Sequence, residues 1–100
     1  MQHYYVYILK CNDGSFYVGR THDVEQRVSE HSVGNGCFFT AQRLPIKLVF
    51  VEEMSSEQDA YDMEMRIKGW SRTKKEALIA GDWDKIKMLA KKKFINCPSI

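Results

Sequence analysis

Five side chains in this sequence have the types that proton transfer and phosphate chemistry use: Tyr7, Tyr17, Arg27, His31 and Glu64. A phenol or an imidazole moves a proton, a guanidinium fork matches phosphate oxygens, and a carboxylate holds a hard divalent cation. Arg27 and His31 stand one helical turn apart. Taken singly, each residue has a plainer reading. Tyr5, Tyr7 and Tyr17 suit cross-strand packing, Arg27 and Glu64 a solvated surface, and His31 a helix C-terminus. No one of them identifies an active site.

The elements that must position them are legible from pattern. Residues 4–9 (YYVYIL) are β-branched and aromatic and read as a strand. Asn12-Asp13-Gly14-Ser15 is a turn, and Phe16-Tyr17-Val18-Gly19 resumes the strand, so residues 4–20 form a β-hairpin. Thr21-His22-Asp23 opens a helix that Asp23 caps, with Gln26 at the return position of a capping box and Gly34-Asn35-Gly36 at its end. Val24, Val28 and His31 share one face of it, with Arg27 and Glu30 on adjoining ones. Between Cys37 and Pro45 the pattern allows a helical turn or an irregular loop carrying Phe38, Phe39, Thr40, Gln42 and Arg43.

A third strand spans residues 46–51, and a helix runs from Glu57 to about Lys68 with Glu64 beside its apolar stripe. Thr73-Lys74-Lys75-Glu76 is expected to cap a short helix ended by Gly81, and Asp82 a last helix through about Lys93. The fold class expected is α+β, a small three-stranded β-sheet flanked by helices. Residues 1–82 are read as the functional domain and 83–100 as a basic helical extension of it.

Composition bounds the answer without naming it. A chain of 100 residues, 44% hydrophobic and 28% charged, suits one globular domain and is too rich in apolar residues for disorder. No apolar run approaches the roughly 20 residues of a membrane span, so no membrane partner is expected. Cys11, Cys37 and Cys97 cannot all pair with one another and lack the close spacing of a zinc site, which favours a reducing, cytoplasmic setting and a role as small apolar fillers. Trp70 and Trp83 read as packing residues. The net charge of +2 is unremarkable, but it is polarised. Residues 1–60 hold five basic against eight acidic residues, whereas 61–100 hold ten against five. That basic half suits a solvated helix face or a phosphate footprint.

The order of the motifs is more specific. Tyr5-Val6-Tyr7 in the first strand, Tyr17-Val18-Gly19 in the second, Thr21-His22-Asp23-Val24 leading to Arg27 and His31, and Glu64 on a later helix together resemble the GIY-YIG nuclease family, most of all its small bacterial-type members. The resemblance covers roughly residues 3–80, with Tyr5 at the place of the first motif's glycine. It implies a metal-dependent endonuclease that hydrolyses phosphodiester bonds, acting on nucleic acid and on DNA in the first instance, with a role in repair or recombination. A protein partner is compatible with it. So small a domain has little surface for reading bases, so selection by structure rather than sequence is expected. The alternative is a nucleic-acid-binding module that keeps the fold with little activity of its own.

By this resemblance, Glu64 holds Mg²⁺ or Mn²⁺, Arg27 donates to the scissile phosphate, Tyr7 is the general base, and Tyr17 positions the water. A phenol of pKa about 10 is ionised in only about one part in a thousand at pH 7. Tyr7 therefore needs a neighbour that lowers its pKa, such as Arg27 or the metal, or a proton acceptor, such as His31. Arg20, Arg43, Lys68, Arg72 and Lys74 are expected along the phosphate backbone.

Overall fold

In the computed structural model, which describes residues 3–82, the chain runs through β1 (Tyr4–Lys10), β2 (Phe16–Thr21), α1 (Val24–Ser32), α2 (Phe38–Ala41), β3 (Lys47–Met54), α3 (Glu57–Lys68) and α4 (Arg72–Ala80). The described residues fall into two compact units that part after Lys68. The helix expected through Lys93 and the basic extension, with Trp83 and Cys97, lie outside the described residues.

The first unit is built on the hairpin. Gly14, at φ 86°, turns the chain where a Cβ would be strained, and the Asp13 carboxylate accepts from the Ser15 backbone N–H at 3.0 Å. The strands form an antiparallel sheet in the order β2-β1-β3. Val6, Tyr7, Ile8 and Leu9 of the central strand are all buried, with Val18, Ala60 and Ile67. Each such large apolar side chain contributes roughly 1.5–3 kcal/mol by leaving water. Helix α3 packs against all three strands.

Two boundaries differ from the sequence reading, and one stretch that it left open is resolved. β3 continues through Glu52, Glu53 and Met54, because β1 offers partners as far as Tyr4, which pairs with Met54. Residues 38–41 are helical, so the stretch left open between loop and helix is α2. Helix α4, in the second unit, begins earlier than the Thr73 box predicts: the Ser71 hydroxyl accepts from the Lys74 N–H at 3.2 Å. Its C-terminus closes on Gly81 at φ 74°, as expected. Asp23 caps α1, accepting from the Gln26 N–H at 3.1 Å.

Candidate active site

The sheet register assembles the first part of the site. Tyr7 pairs with Gly19 and Leu9 with Tyr17, so Tyr7, Gly19 and Tyr17 share one sheet face, with the two phenol rings 6.3 Å apart. Gly19 gives Tyr7 its space: a Cβ there would stand 2.5 Å from the Tyr7 hydroxyl oxygen. The Tyr7 hydroxyl meets Nε2 of His31, on α1, at 3.2 Å, and the Tyr17 ring lies 5.1 Å from the imidazole. On its far side His31 contacts Thr40 through Nδ1, at 2.7 Å from Oγ1.

Tyr7, His31 and Thr40 are buried, and a buried network of this kind holds only when every member is satisfied. The Thr40 hydroxyl donates to the Cys37 carbonyl oxygen at 3.4 Å. Thr40 Oγ1 then accepts from His31 Nδ1–H, leaving Nε2 bare to accept from Tyr7; the tautomer is assigned from this network. Burial lowers the His31 pKa, with the Arg27 charge acting the same way against a smaller pull from Glu30, so the ring is neutral at pH 7. Burial raises the Tyr7 pKa. A hydrogen bond and the charge of Arg27 pull it down, as expected on sequence grounds, but burial outweighs them. Tyr17 is pushed up to about 12, again by burial first. Both phenols hold their protons at neutral pH, so proton acceptance by His31 is the route that the geometry provides.

Arg27 projects from α1, donates to the Gly36 carbonyl at 3.1 Å and pairs with Glu30 at 3.2 Å. With 31% of its side chain exposed, it is the solvent-facing cation of this cluster. Cys37 is half-buried beside this network, its Sγ 3.4 Å from Thr40 Oγ1. Burial raises its thiol pKa, but hydrogen bonding with Thr40 and Tyr17 and from the Thr40 and Phe39 backbone outweighs it, leaving a net downward shift.

Glu64 forms the second part. Its carboxylate, on α3, is 6% exposed and holds Arg20 Nη1 at 2.6 Å through one oxygen and Lys68 Nζ at 2.8 Å through the other. Arg20 also lies over the Tyr61 ring, 5.0 Å from its centre. Arg20 pairs with Val6 in the sheet, and successive strand residues face opposite ways, so it leaves β2 on the face opposite Gly19 and Tyr7. The carboxylate still acts on the phenol, adding a small upward push to the Tyr7 pKa. Gly19 and Arg20, consecutive on the edge strand β2, thus serve the two parts of the site.

The residues expected along phosphate are engaged within the protein. Arg20 and Lys68 hold Glu64, while Arg43 binds Asp13 at 3.1 Å and the Phe39 carbonyl at 2.9 Å and covers the Phe39 ring. In the second unit Arg72 pairs with Glu76 at 3.4 Å, and Lys74 lies 4.3 Å above Trp70. Sequence reasoning missed Thr40 and the spacing role of Gly36, whose added Cβ would stand 2.1 Å from His31 Nδ1. The available signal was chemical: a buried histidine needs a partner on both ring nitrogens, and the segment after it supplies a threonine.

Among the described residues no cluster of three His, Cys, Asp or Glu could enclose a metal. A lone carboxylate fits an ion that keeps its waters and takes substrate oxygens, as Mg²⁺ does. Each Glu64 oxygen has lone-pair capacity beyond the one contact it makes, so the donor set fits such an ion. None of the helices in the described residues is long and apolar enough to cross a membrane.

Known proteins resemble this chain over most of its length. The family model of the GIY-YIG catalytic domain matches residues 3–77. A UPF0213 protein of Halobacterium salinarum is 44% identical over 75 residues, 75% of this chain and 97% of that one. The solution structure of a UPF0213 protein from Bacillus halodurans is 43% identical, with a TM-score of 0.53 over 82% of this chain and 86% of that one. A solution structure of a protein from E. faecalis is 33% identical, with a TM-score of 0.57 over 81% of this chain and 86% of that one.

Proposed function

The chain belongs to the GIY-YIG catalytic domain family, and from that premise we propose that it is a Mg²⁺-dependent endonuclease hydrolysing phosphodiester bonds in DNA. Membership carries a nuclease-type activity and a nucleic-acid substrate. Our reading adds the metal, the preference for DNA, selection by structure rather than sequence, and a task in repair or recombination. We assign it to the cytoplasm, where the free thiols of Cys11 and Cys37 would persist.

The observation that carries the reading is the buried chain from Tyr7 through His31 to Thr40. Its use in hydrolysis follows from proton positions. As Tyr7 takes a proton from the attacking water, its own moves to His31 Nε2, so no free phenolate is needed. The imidazolium that forms keeps Nδ1–H on Thr40. Arg27 forks the scissile phosphate and stabilises the negative charge that builds on it, and Tyr17 orients the water. Glu64 would hold the divalent ion, which supplies stabilisation of the leaving oxygen. Because Tyr7 of β1 and Arg20 of β2 lie on opposite faces of the sheet, the nucleic-acid backbone passes around the outer edge of β2.

A panel of duplex, single-stranded and branched DNA, with Mg²⁺, Mn²⁺ or chelator, tests this. Cleavage in the metal lanes, lost in Arg27→Ala and Glu64→Ala, is the expected outcome. Binding without cleavage under all conditions gives the binding-module function instead.

A further inference from the structure

We infer that Lys68 is an internal counter-ion at the metal carboxylate: it holds Glu64 Oε2 when no divalent ion is present, and the ion displaces it. The inference rests on Glu64 being the metal ligand, as proposed above. Lys68 and Glu64 are one turn apart on α3, with Nζ 2.8 Å from Oε2. The carboxylate is almost closed off, its side chain 8% exposed, so a cation arriving at Oε2 meets the ammonium at short range.

The two partners of Glu64 are not equal. Arg20 sits on a strand, makes the shorter contact at 2.6 Å through a planar guanidinium, and rests against Tyr61. Lys68 is the last residue of α3, with 46% of its side chain exposed. It is a hydrated point charge on a flexible stem, which regains rotamer freedom and hydration on release. Of the two, Lys68 gives way. Arg20 remains and keeps the carboxylate aimed, and the freed ammonium becomes available to the phosphate that arrives with the metal.

Mn²⁺ titrations of the full chain at fixed pH and ionic strength, followed by the electron paramagnetic resonance signal of the free ion, test this without turnover. The comparison is wild type, Lys68→Met, Glu64→Gln and Lys47→Met, the last removing an equal charge from an exposed position on β3. Lys68→Met is expected to tighten binding about three- to fivefold, which is what an exposed ion pair is worth. Lys47→Met should match wild type, and Glu64→Gln should lose the site. In wild type, Mg²⁺ should also move the Lys68 Cε resonance towards that of a solvent-exposed lysine. Equal affinity in wild type and Lys68→Met, with Glu64→Gln defective, overturns the displacement and leaves the metal site standing. Equal tightening in Lys47→Met reduces the effect to net charge and overturns it too. Unimpaired binding in Glu64→Gln removes both the displacement and the metal role of Glu64.

Discussion

The Tyr7 hydroxyl lies 3.2 Å from His31 Nε2, and burial drives their pKa values apart, raising the phenol and lowering the imidazole. A neutral phenol backed by a neutral imidazole predicts a particular pH profile. Log kcat should rise with unit slope while His31 loses its proton, below its ordinary 6.5, and then stay flat to about pH 9. A phenolate base would instead keep the rate climbing past pH 10. His31→Gln should lower kcat by about 10²–10³ and convert the plateau into that climb. A wild-type profile that rises without a plateau removes His31 from the proton path.

The same burial makes His31 a source of acid sensitivity. Its folded-state pKa is depressed below the ordinary 6.5, so the unfolded chain binds the proton more readily. Its contribution to stability is therefore complete above pH 6.5 and declines as the pH falls towards the folded-state value. Thermal melts should show Tm falling over that window in wild type. In His31→Gln the decline should be shallower, whatever the change in absolute Tm.

Glu64→Gln separates chemistry from folding. The two cations on Glu64 are 38% and 46% exposed, so solvent already screens much of their attraction. The amide keeps the shape and one acceptor, and the stability cost should stay near 1 kcal/mol, about 4–8 °C in Tm for a domain of this size. Activity in Mg²⁺ should fall by about a thousandfold or more, because the carboxylate proposed to hold the ion loses its charge. A loss below tenfold would assign the ion to another ligand.

Gly19 and Gly36 set the distances within the phenol–imidazole chain from outside it. An alanine Cβ would approach the Tyr7 hydroxyl oxygen to 2.5 Å in one case and His31 Nδ1 to 2.1 Å in the other. Either ring must swing from its buried position. Gly19→Ala and Gly36→Ala should each cost roughly 1–3 kcal/mol, and kcat should fall much further than binding of DNA. Unchanged kcat in both would mean that the ring positions are unimportant to the reaction.

What could be read from the sequence, and what could not, follows the range of the forces involved. Short-range signals carried the hairpin at Gly14, the Asp23 cap and α3, because turn chemistry, capping and periodicity act over a few residues. The end of β3 depended on how far β1 extends beside it, so Glu52 and Glu53 looked like a boundary and proved to be strand. The candidate site divides the same way. Tyr7, Tyr17 and His31 were legible from motif order, and they assemble. The Lys68–Glu64 pair is an i,i+4 contact within α3, but that Arg20 closes on Glu64 and Thr40 stands behind His31 depends on contacts that no local pattern encodes. Arg27 does act on the Tyr7 pKa in the expected sense, but desolvation is a property of the packed interior and could not be weighed against it from sequence.

Thr40→Val tests the far end of the chain with almost no change in volume. The valine cannot accept from Nδ1, so the donor that lies 2.7 Å from Thr40 Oγ1 is left without a partner among buried groups. An orphaned buried donor costs about 1–3 kcal/mol, whereas Thr40→Ser, which keeps the hydroxyl, should cost less. The ring can also escape by moving its hydrogen to Nε2, which would then donate to Tyr7 and could no longer accept its proton. Thr40→Val should therefore lower kcat by at least about tenfold with KM little changed, and ¹⁵N shifts of the imidazole should report the Nε2–H tautomer. Combined with His31→Gln, it should add no further loss in kcat, since the residue through which it acts is already gone. Additive losses in the double variant would show that Thr40 acts on turnover by some route other than His31.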